Sequence, residues 1–394
     1  MPHRPGGPTV APRKTAEVIG AGLAGLTAAT ALAQRGWSVR LHERDSEIRA
    51  IGAGIYVWGN GLATLEALGL YEEAAFNAHV GPVLETRDHR GRVVEEVPIN
   101  GPGQARVLTI MRDRLIGTLI GGAEKAGVEI RTGSEVLEAG PDGRVVTRSG
   151  ETARADVVLA ADGVNSRIRG QYDIVAHRAP ARQGATRLTV PRAPGFVPEG
   201  DEGKYIEYFS GRRRVLYTPS SESSLYVALV ADERDRPASR IPVDTMAWIR
   251  SFPHLEALLS ACAGVPGRWD TFQFLTLTRW SMGRLAFLGD AAHAQPPYLG
   301  QGGGCAMMSA LGLADALSGS DAPVDQALRD WEYAERPTVE HTQRWSHRLG
   351  RLNYVPDAAR ASLLKASGHL PRLGASRLRA ALTVPTGAGR FAGN

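Results

Sequence analysis

Three short stretches hold residue types that could do chemistry. Gly20-Ala21-Gly22-Leu23-Ala24-Gly25 sets three glycines within six residues, and Glu43 follows 18 residues after the last of them. Glycines at this spacing permit a tight turn and close helix packing, and a helix opening there presents bare amides and the positive end of its dipole to a pyrophosphate. An acid placed like Glu43 can accept hydrogen bonds from a ribose diol. Farther along, Asp162-Gly163 closes an apolar run, followed at set spacings by Ser166 and Arg169, and the segment GDAAHAQPPYLGQGGG runs from Gly289 to Gly304. Two dinucleotide-contacting elements separated by most of the chain imply a long cofactor gripped at both ends, for which FAD is the natural candidate.

The elements that must position these residues can be read from periodicity. AEVIG reads as a buried strand, LAGLTAATALAQRG as an Ala/Leu-rich helix and SVRLHER as a second strand ending at Glu43, which together open a nucleotide-binding βαβ unit. A glycine-rich crossing, AIGAGIYVWGNGLATLEALG, leads to a helix entered at Arg112 and then to the strand that ends at Asp162. From about residue 173 to 280 the pattern changes: TRLTVP, KYIEYFS, RRRVLYTP and SLYVALVA read as strands, with PSSESS as a hairpin turn. RLAFLGD returns as a buried strand, GGGCAMMSALGLADAL as a glycine-started helix, and the stretch after it as a long helical region interrupted at Pro337. The expected architecture is α/β: a Rossmann-like FAD-binding domain over residues 16–172 and 281–351, with an inserted, mostly antiparallel substrate domain over 173–280. Residues 1–15 are expected to be disordered, and 352–394 to form a helical tail with a frayed end.

Composition narrows the function classes. The formal charge of +5 is spread among acids and carried almost wholly by arginine, so a mixed solvated surface is expected and nucleic acid is not an expected partner. Two cysteines, Cys262 and Cys305, cannot form a disulfide framework and lie in no Cys/His cluster, so no metal site is expected. No apolar run is long enough to span a bilayer and the first residues lack a signal-peptide core, which points to the cytoplasm and away from a membrane. His293 is expected to serve local packing, and Trp331, Tyr333 and Trp345 to pack a helix.

In order and spacing, GAGLAG with Glu43, ADGVNSRIR, and GDAAHAQPP followed by GQGGG resemble the single-component FAD aromatic hydroxylases of the para-hydroxybenzoate hydroxylase fold, from about Ala16 to Arg351. Within that group, GIYVWGNGL, RLTVP and RRVLYTP look most like the hydroxylases of nitrogen heteroaromatics exemplified by 2-methyl-3-hydroxypyridine-5-carboxylate oxygenase. The resemblance implies that Gly20, Gly22, Leu23, Ala24 and Gly25 line the diphosphate turn and that Glu43, with Arg44, holds the adenosine end. Arg112 would contact FAD from its helix entrance, Asp162 and Gly163 would serve FAD diphosphate and nicotinamide contacts, and Asp290 would bind the ribityl and diphosphate region. Gly302, Gly303 and Gly304 would set backbone amides beside the isoalloxazine pyrimidine edge. A helix starting there would aim its positive end at the charge that develops near N1 and C2=O on reduction.

The same resemblance implies a cycle in which NADH or NADPH reduces FAD and O2 adds at flavin C4a as a hydroperoxide that hydroxylates an aromatic or heteroaromatic small molecule. The flavin performs the oxygen transfer, and no side chain is assigned as catalytic. Tyr56, Arg187, Tyr217, Pro297 and Tyr298 are expected to line the substrate pocket, with Thr189 on the face of Arg187. Leu84, Trp269 and Phe272 stand where tyrosines would be expected, which makes the pocket more apolar and the substrate different or larger. Oxygenation with ring cleavage or dearomatisation, N-hydroxylation, and a flavin-binding scaffold without turnover stay open, as does a monomer or a homo-oligomer.

Overall fold

A short strand with apolar residues on both sides must be covered on both faces, and Thr15–Ile19 meets that condition, with Ala16 to Ile19 all buried. In the computed structural model, which describes residues 13–49, 53–368 and 370–390, this strand lies inside a six-stranded sheet. Its parallel neighbours are Val157–Ala160 and Ser38–His42, beyond which Leu285–Phe287 and Glu129–Arg131 continue the parallel set, and the two-residue strand Ser281–Met282 closes one edge antiparallel. Most of the N-terminal stretch expected to be disordered, residues 50–52 of the glycine-rich crossing and residues 391–394 of the expected frayed end lie outside the described residues.

Helix Leu23–Gln34 returns the chain from the first strand to the second and is buried from Ala24 to Leu32. It packs beside helix Gly302–Ser318, and both belong to the core that the parallel sheet shares. Gly25 and Gly20 mark how close the approach is. A Cβ on Gly25 would stand 1.9 Å from the Gly20 carbonyl oxygen, and one on Gly20, at φ +101, would stand 2.4 Å from that of Ala161.

A seven-stranded, mostly antiparallel sheet forms the second layer, in the order Trp269–Leu277, Val175–Pro191, Ser224–Asp232, Arg213–Pro219, Tyr205–Ser210, Val83–Arg87, Val93–Pro98. Sequence alone keeps residues 83–98 in the first FAD-binding part. Backbone pairing puts them in this sheet instead, Val83–Arg87 running parallel to Tyr205–Ser210. The strand is hard to recognise because it buries charge. Arg87 donates to both oxygens of Asp201 at 2.6 Å, to Glu85 at 2.5 and 2.8 Å, and to the Tyr208 hydroxyl at 2.8 Å, while Lys204 lies 2.7 Å from Glu85. Two cations and two anions thus cancel inside the sheet.

A two-stranded antiparallel sheet of Gly54–Trp58 and Val107–Met111 joins the two layers and sets Tyr56 opposite Thr109. The long helix Val324–Arg351 runs on through Pro337 without the interruption expected there. Proline cannot donate to the carbonyl of Tyr333, and that residue is 86% exposed, so water can serve the freed oxygen. Its exposure also removes Tyr333 from the expected helix packing, whereas Trp331 is buried and donates to the Ser309 carbonyl at 2.8 Å. Both cysteines are buried and unpaired, with thiols pushed up to about 12 by burial.

Replacing Arg87 by Ala strands Glu85 and Asp201 without their main partner. The variant should lose roughly 3–5 kcal/mol of unfolding free energy, read from urea denaturation midpoints of the two proteins at one pH.

Candidate active site

The functional carboxylates stand in a row because four parallel strands stop together. Gly20 N–H donates to the His42 carbonyl at 2.8 Å, Ala161 N–H to that of Ile19 at 2.8 Å, and Leu288 N–H to that of Ala160 at 2.9 Å. Glu43, Gly20, Asp162 and Asp290 therefore follow the C-terminal ends of adjacent strands, the edge at which open parallel sheets bind nucleotides. Glu43 also braces the glycine turn, its two oxygens accepting from Ala21 N–H at 3.0 Å and Asp45 N–H at 3.1 Å, with lone pairs to spare. Helix Leu23–Gln34 begins after Gly22 with no side-chain cap, so the amides of Leu23, Ala24 and Gly25 are open to an anion. Arg44 stands at the surface, 3.8 Å from Asp45.

The second element is built against the first. Gly289 adopts φ +56, where a Cβ would lie 2.9 Å from Cβ of Ala24. Helix Gly302–Ser318 also starts uncapped, after Gln301. A Cβ on Gly304 would stand 2.4 Å from Oδ1 of the buried Asn60, and one on Gly303 3.1 Å from Leu23 Cδ1. Asn60 escapes a sequence reading because it acts across a distant helix with no local pattern. Asp162 accepts from Ile168 N–H through Oδ2 at 3.2 Å, leaving Oδ1 buried and without a partner. Arg169, set apart in the sequence by its spacing from Asp162, is buried and donates to the carbonyls of Ala291 at 2.9 Å and Val164 at 2.7 Å. It thereby staples the turn after Asp162 to the segment after Asp290. Ser166 holds it from below by accepting from Arg169 N–H at 2.9 Å.

Charge converges on this cleft from three directions. Arg112 opens helix Arg112–Lys125, and among the described residues its guanidinium has no hydrogen-bond or ion-pair partner. Burial lowers its pKa and the nearby Arg187 lowers it further, against the opposing fields of Asp290, Tyr226 and Asp270. The Asp290 carboxyl is reached by solvent yet ringed by protein, and this burial raises its pKa against the attraction of Arg112. His293 is buried against Trp280, with ring centroids 5.1 Å apart, and burial pushes it down to about 4, so at neutral pH it is an uncharged packing residue.

Strand pairing decides which side chains of the large sheet face the cleft. Arg187 lies opposite Ala228, which lies opposite Leu216, so these three share the front face together with Thr189 and its partner Tyr226. The strand of Arg187 is paired on both sides and is no edge. Its side chain is 28% exposed, 3.8 Å from Asp270, with the guanidinium 5.7 Å from the Phe272 ring centroid. Tyr217 is a correction to the expected pocket. It pairs with Val227 on the back face, is fully buried, stacks on Tyr208 and donates to Asp201 at 3.2 Å. Trp269 turns to the back core as well, whereas Phe272 faces front, edge-on to Tyr298 with centroids 5.9 Å apart. Tyr56 makes edge contacts with Tyr205 and Tyr226, its buried hydroxyl having no partner. Pro297 is exposed at a turn whose carbonyl accepts from Gly300 N–H at 2.9 Å.

Two uncapped helix starts, a buried carboxylate oxygen and a partly buried arginine that lack partners among the described residues, and glycines admitting close backbone approach fit a flavin adenine dinucleotide laid along the strand ends. With the large sheet facing that cleft, they define a flavoprotein monooxygenase of the aromatic hydroxylase type. The chain belongs to the FAD binding domain family, whose model matches residues 13–322. It is 49% identical over 354 residues to the 2-heptyl-3-hydroxy-4(1H)-quinolone synthase of Mycobacteroides abscessus, covering 90% of this chain and 94% of that one. It is 29% identical over 351 residues to the 3-amino-4-hydroxybenzoate 2-monooxygenase of Streptomyces cremeus, covering 86% and 88%. The tetrameric form of 2-methyl-3-hydroxypyridine-5-carboxylic acid oxygenase superposes with a TM-score of 0.84 at 37% identity, covering 94% of this chain and 96% of that one.

Asp290→Asn separates two roles of one carboxylate. Its folded pKa lies above the unfolded value, so its favourable contribution is complete below the unfolded pKa and is lost as pH rises through the folded one. Ligand-free Asp290→Asn should therefore melt higher than wild type at pH 8 and lose that advantage near pH 4, while retaining less FAD after gel filtration; melting curves at both pH values and the flavin-to-protein absorbance ratio check this.

Proposed function

We propose that this enzyme oxygenates a 2-alkyl-4(1H)-quinolone at carbon 3, using NADH or NADPH and O2. The observation that carries it is identity near one half, over nine-tenths of the chain, to a protein whose name states that product. The front face supports it, since Phe272 gives an apolar wall with the Arg187 guanidinium beside its ring, and Leu84 adds apolar surface beside Tyr56 farther across the same sheet.

Bound FAD supplies the redox chemistry, accepting hydride from the nicotinamide and activating O2. The chain's own residues bind, orient and enclose. The Leu23, Ala24 and Gly25 amides, with Gly20 and Gly22 shaping the turn, take the diphosphate, and Glu43 takes the adenosine ribose with Arg44 at its outer edge. Asp290 takes the ribityl end, Asp162, Gly163 and Arg112 flank the diphosphate, and the amides of Gly302, Gly303 and Gly304 meet the pyrimidine edge. There the helix start contributes about 0.3–1 kcal/mol, and more when water is excluded, toward a negative charge.

Carbon 3 of a 4(1H)-quinolone is nucleophilic because the ring nitrogen lone pair is conjugated to it and to the carbon 4 oxygen. A guanidinium donating to that oxygen fixes which ring atom points at the flavin and stabilises the negative charge the oxygen carries when the ring N–H is lost, the form in which carbon 3 is most nucleophilic. Arg187 has that position, with Tyr56, Pro297 and Tyr298 as walls. Dependence on NADH or NADPH supports a cytoplasmic setting, and among the described residues no helix is long and apolar enough to cross a membrane.

The test supplies the FAD-loaded enzyme with 2-heptyl-4(1H)-quinolone, each nicotinamide in turn and isotopically labelled O2. One labelled oxygen at carbon 3 is expected. Flavin-loaded enzyme that yields no such product, or yields a ring-opened or N-hydroxylated one, overturns the proposal. Arg187→Ala should raise KM about tenfold or more, the loss of a hydrogen bond to a charged group, with the flavin-to-protein ratio unchanged. Unaltered KM and coupling would remove Arg187 from the site.

A further inference from the structure

The front face of the large sheet is divided. Ala53, Tyr56, Leu216, Tyr226 and Ala228 form one apolar patch, and Ala181, Ala185, Val230, Phe272 and Tyr298 form another. Register sets their order along the strands: Thr189 with Tyr226, then Arg187 with Ala228, then Ala185 with Val230. Successive rows on one face are about 6.8 Å apart, so the patches together span roughly 14 Å. The front is the open side, since the Arg187 side chain is 28% exposed and Thr189, Ala181 and Tyr298 are half-buried, whereas Val215, Val227 and Leu229 on the back have no exposure.

The two patches stand differently to the flavin-facing loop. A Cβ on Gly300 would lie 3.1 Å from Tyr56 Cδ2, and one on Gly303 3.4 Å from Ile55 Cδ1, so the first patch abuts the glycines expected at the flavin's pyrimidine edge and is the side for the reacting ring, whereas the second meets the same segment earlier, at Tyr298. The second patch ends at the Tyr298 ring, which is fixed on several sides. Its hydroxyl donates to Gln183 Oε1, the same oxygen accepts from Asn353 Nδ2 at 2.7 Å, Arg214 lies 4.8 Å from the ring centroid, and a Cβ on Gly350 would stand 2.5 Å from the ring. Gln183 is fully buried, and Asn353 comes from the segment after the long helix. Two cations border the second patch, each with an acid beside it: Arg214 with Glu207 at the Tyr298 end, and Arg187, 3.8 Å from Asp270, at the Phe272 ring.

We infer that the second patch holds the 2-alkyl substituent of the quinolone and that Tyr298 sets the longest chain accepted, with Gln183 and Asn353 as its positioning residues. This rests on the quinolone assignment and adds where the substrate's length is measured. Each methylene should raise kcat/KM about fourfold, equivalent to about 0.8 kcal/mol per buried CH2, until the chain meets Tyr298, after which kcat/KM should fall.

The experiment uses FAD-loaded enzyme with 2-alkyl-4(1H)-quinolones from methyl to undecyl, recording kcat and KM for each, together with ligand binding from the shift in flavin absorbance. Tyr298→Ala should move the optimum at least two methylenes longer, and Val230→Phe at least two shorter, both mainly through KM. The second variant keeps the test decisive if the first does not fold. A wild type that oxygenates the series, paired with flavin-loaded variants whose length profile and binding order are unchanged, overturns the chain-length role and leaves the quinolone assignment standing. A wild type that oxygenates none of the series overturns both.

Discussion

The common register of four parallel strands is the constraint from which the site follows. Because Ser38–His42, Thr15–Ile19, Val157–Ala160 and Leu285–Phe287 stop side by side, the residues after them share one edge, though they are spread over most of the chain. Shifting any strand by one residue would swap its side chains between the two covered faces and carry the residue that follows it out of the row. The close contacts at Gly20 and Gly25 hold that register at the turn, and Arg169 holds it on the far side by tying the segments after two of the strands together.

Electrostatics within the cleft favours a ligand over the chain alone. Arg187 makes the charge on Arg112 harder to hold, and the Asp290 carboxyl is ringed by protein with Arg112 as its counter-field. Charged groups held in protein surroundings in this way mark a functional site, with Arg112 the cation that can meet an anionic ligand.

Much of this is legible in the sequence, and the illegible part has a physical cause. The glycine turn, the acid at Glu43 and the strand ends carrying Asp162 and Asp290 are local patterns, visible without knowing which strand pairs with which. Face assignment is not local. Tyr217 and Leu216 differ by one position, and only pairing with Ala228 and Arg187 shows that Leu216 faces the cleft. Val83–Arg87 hides its strand character because its buried Glu85 and Arg87 read as surface residues. Gln183 and Asn353 meet across 170 residues, and neither neighbourhood announces the other.

The alternation along Val175–Pro191 has a consequence for how such an enzyme can change over generations. Leu188 and Val190 belong to the back core with Tyr217, where any change is felt as lost stability, while Ala185, Arg187 and Thr189 face the cleft. Mutation can thus sample new ligands at every second position of one strand while leaving the folding determinants between them untouched. A single stretch of chain carries two nearly independent inheritances, one conservative and one exploratory.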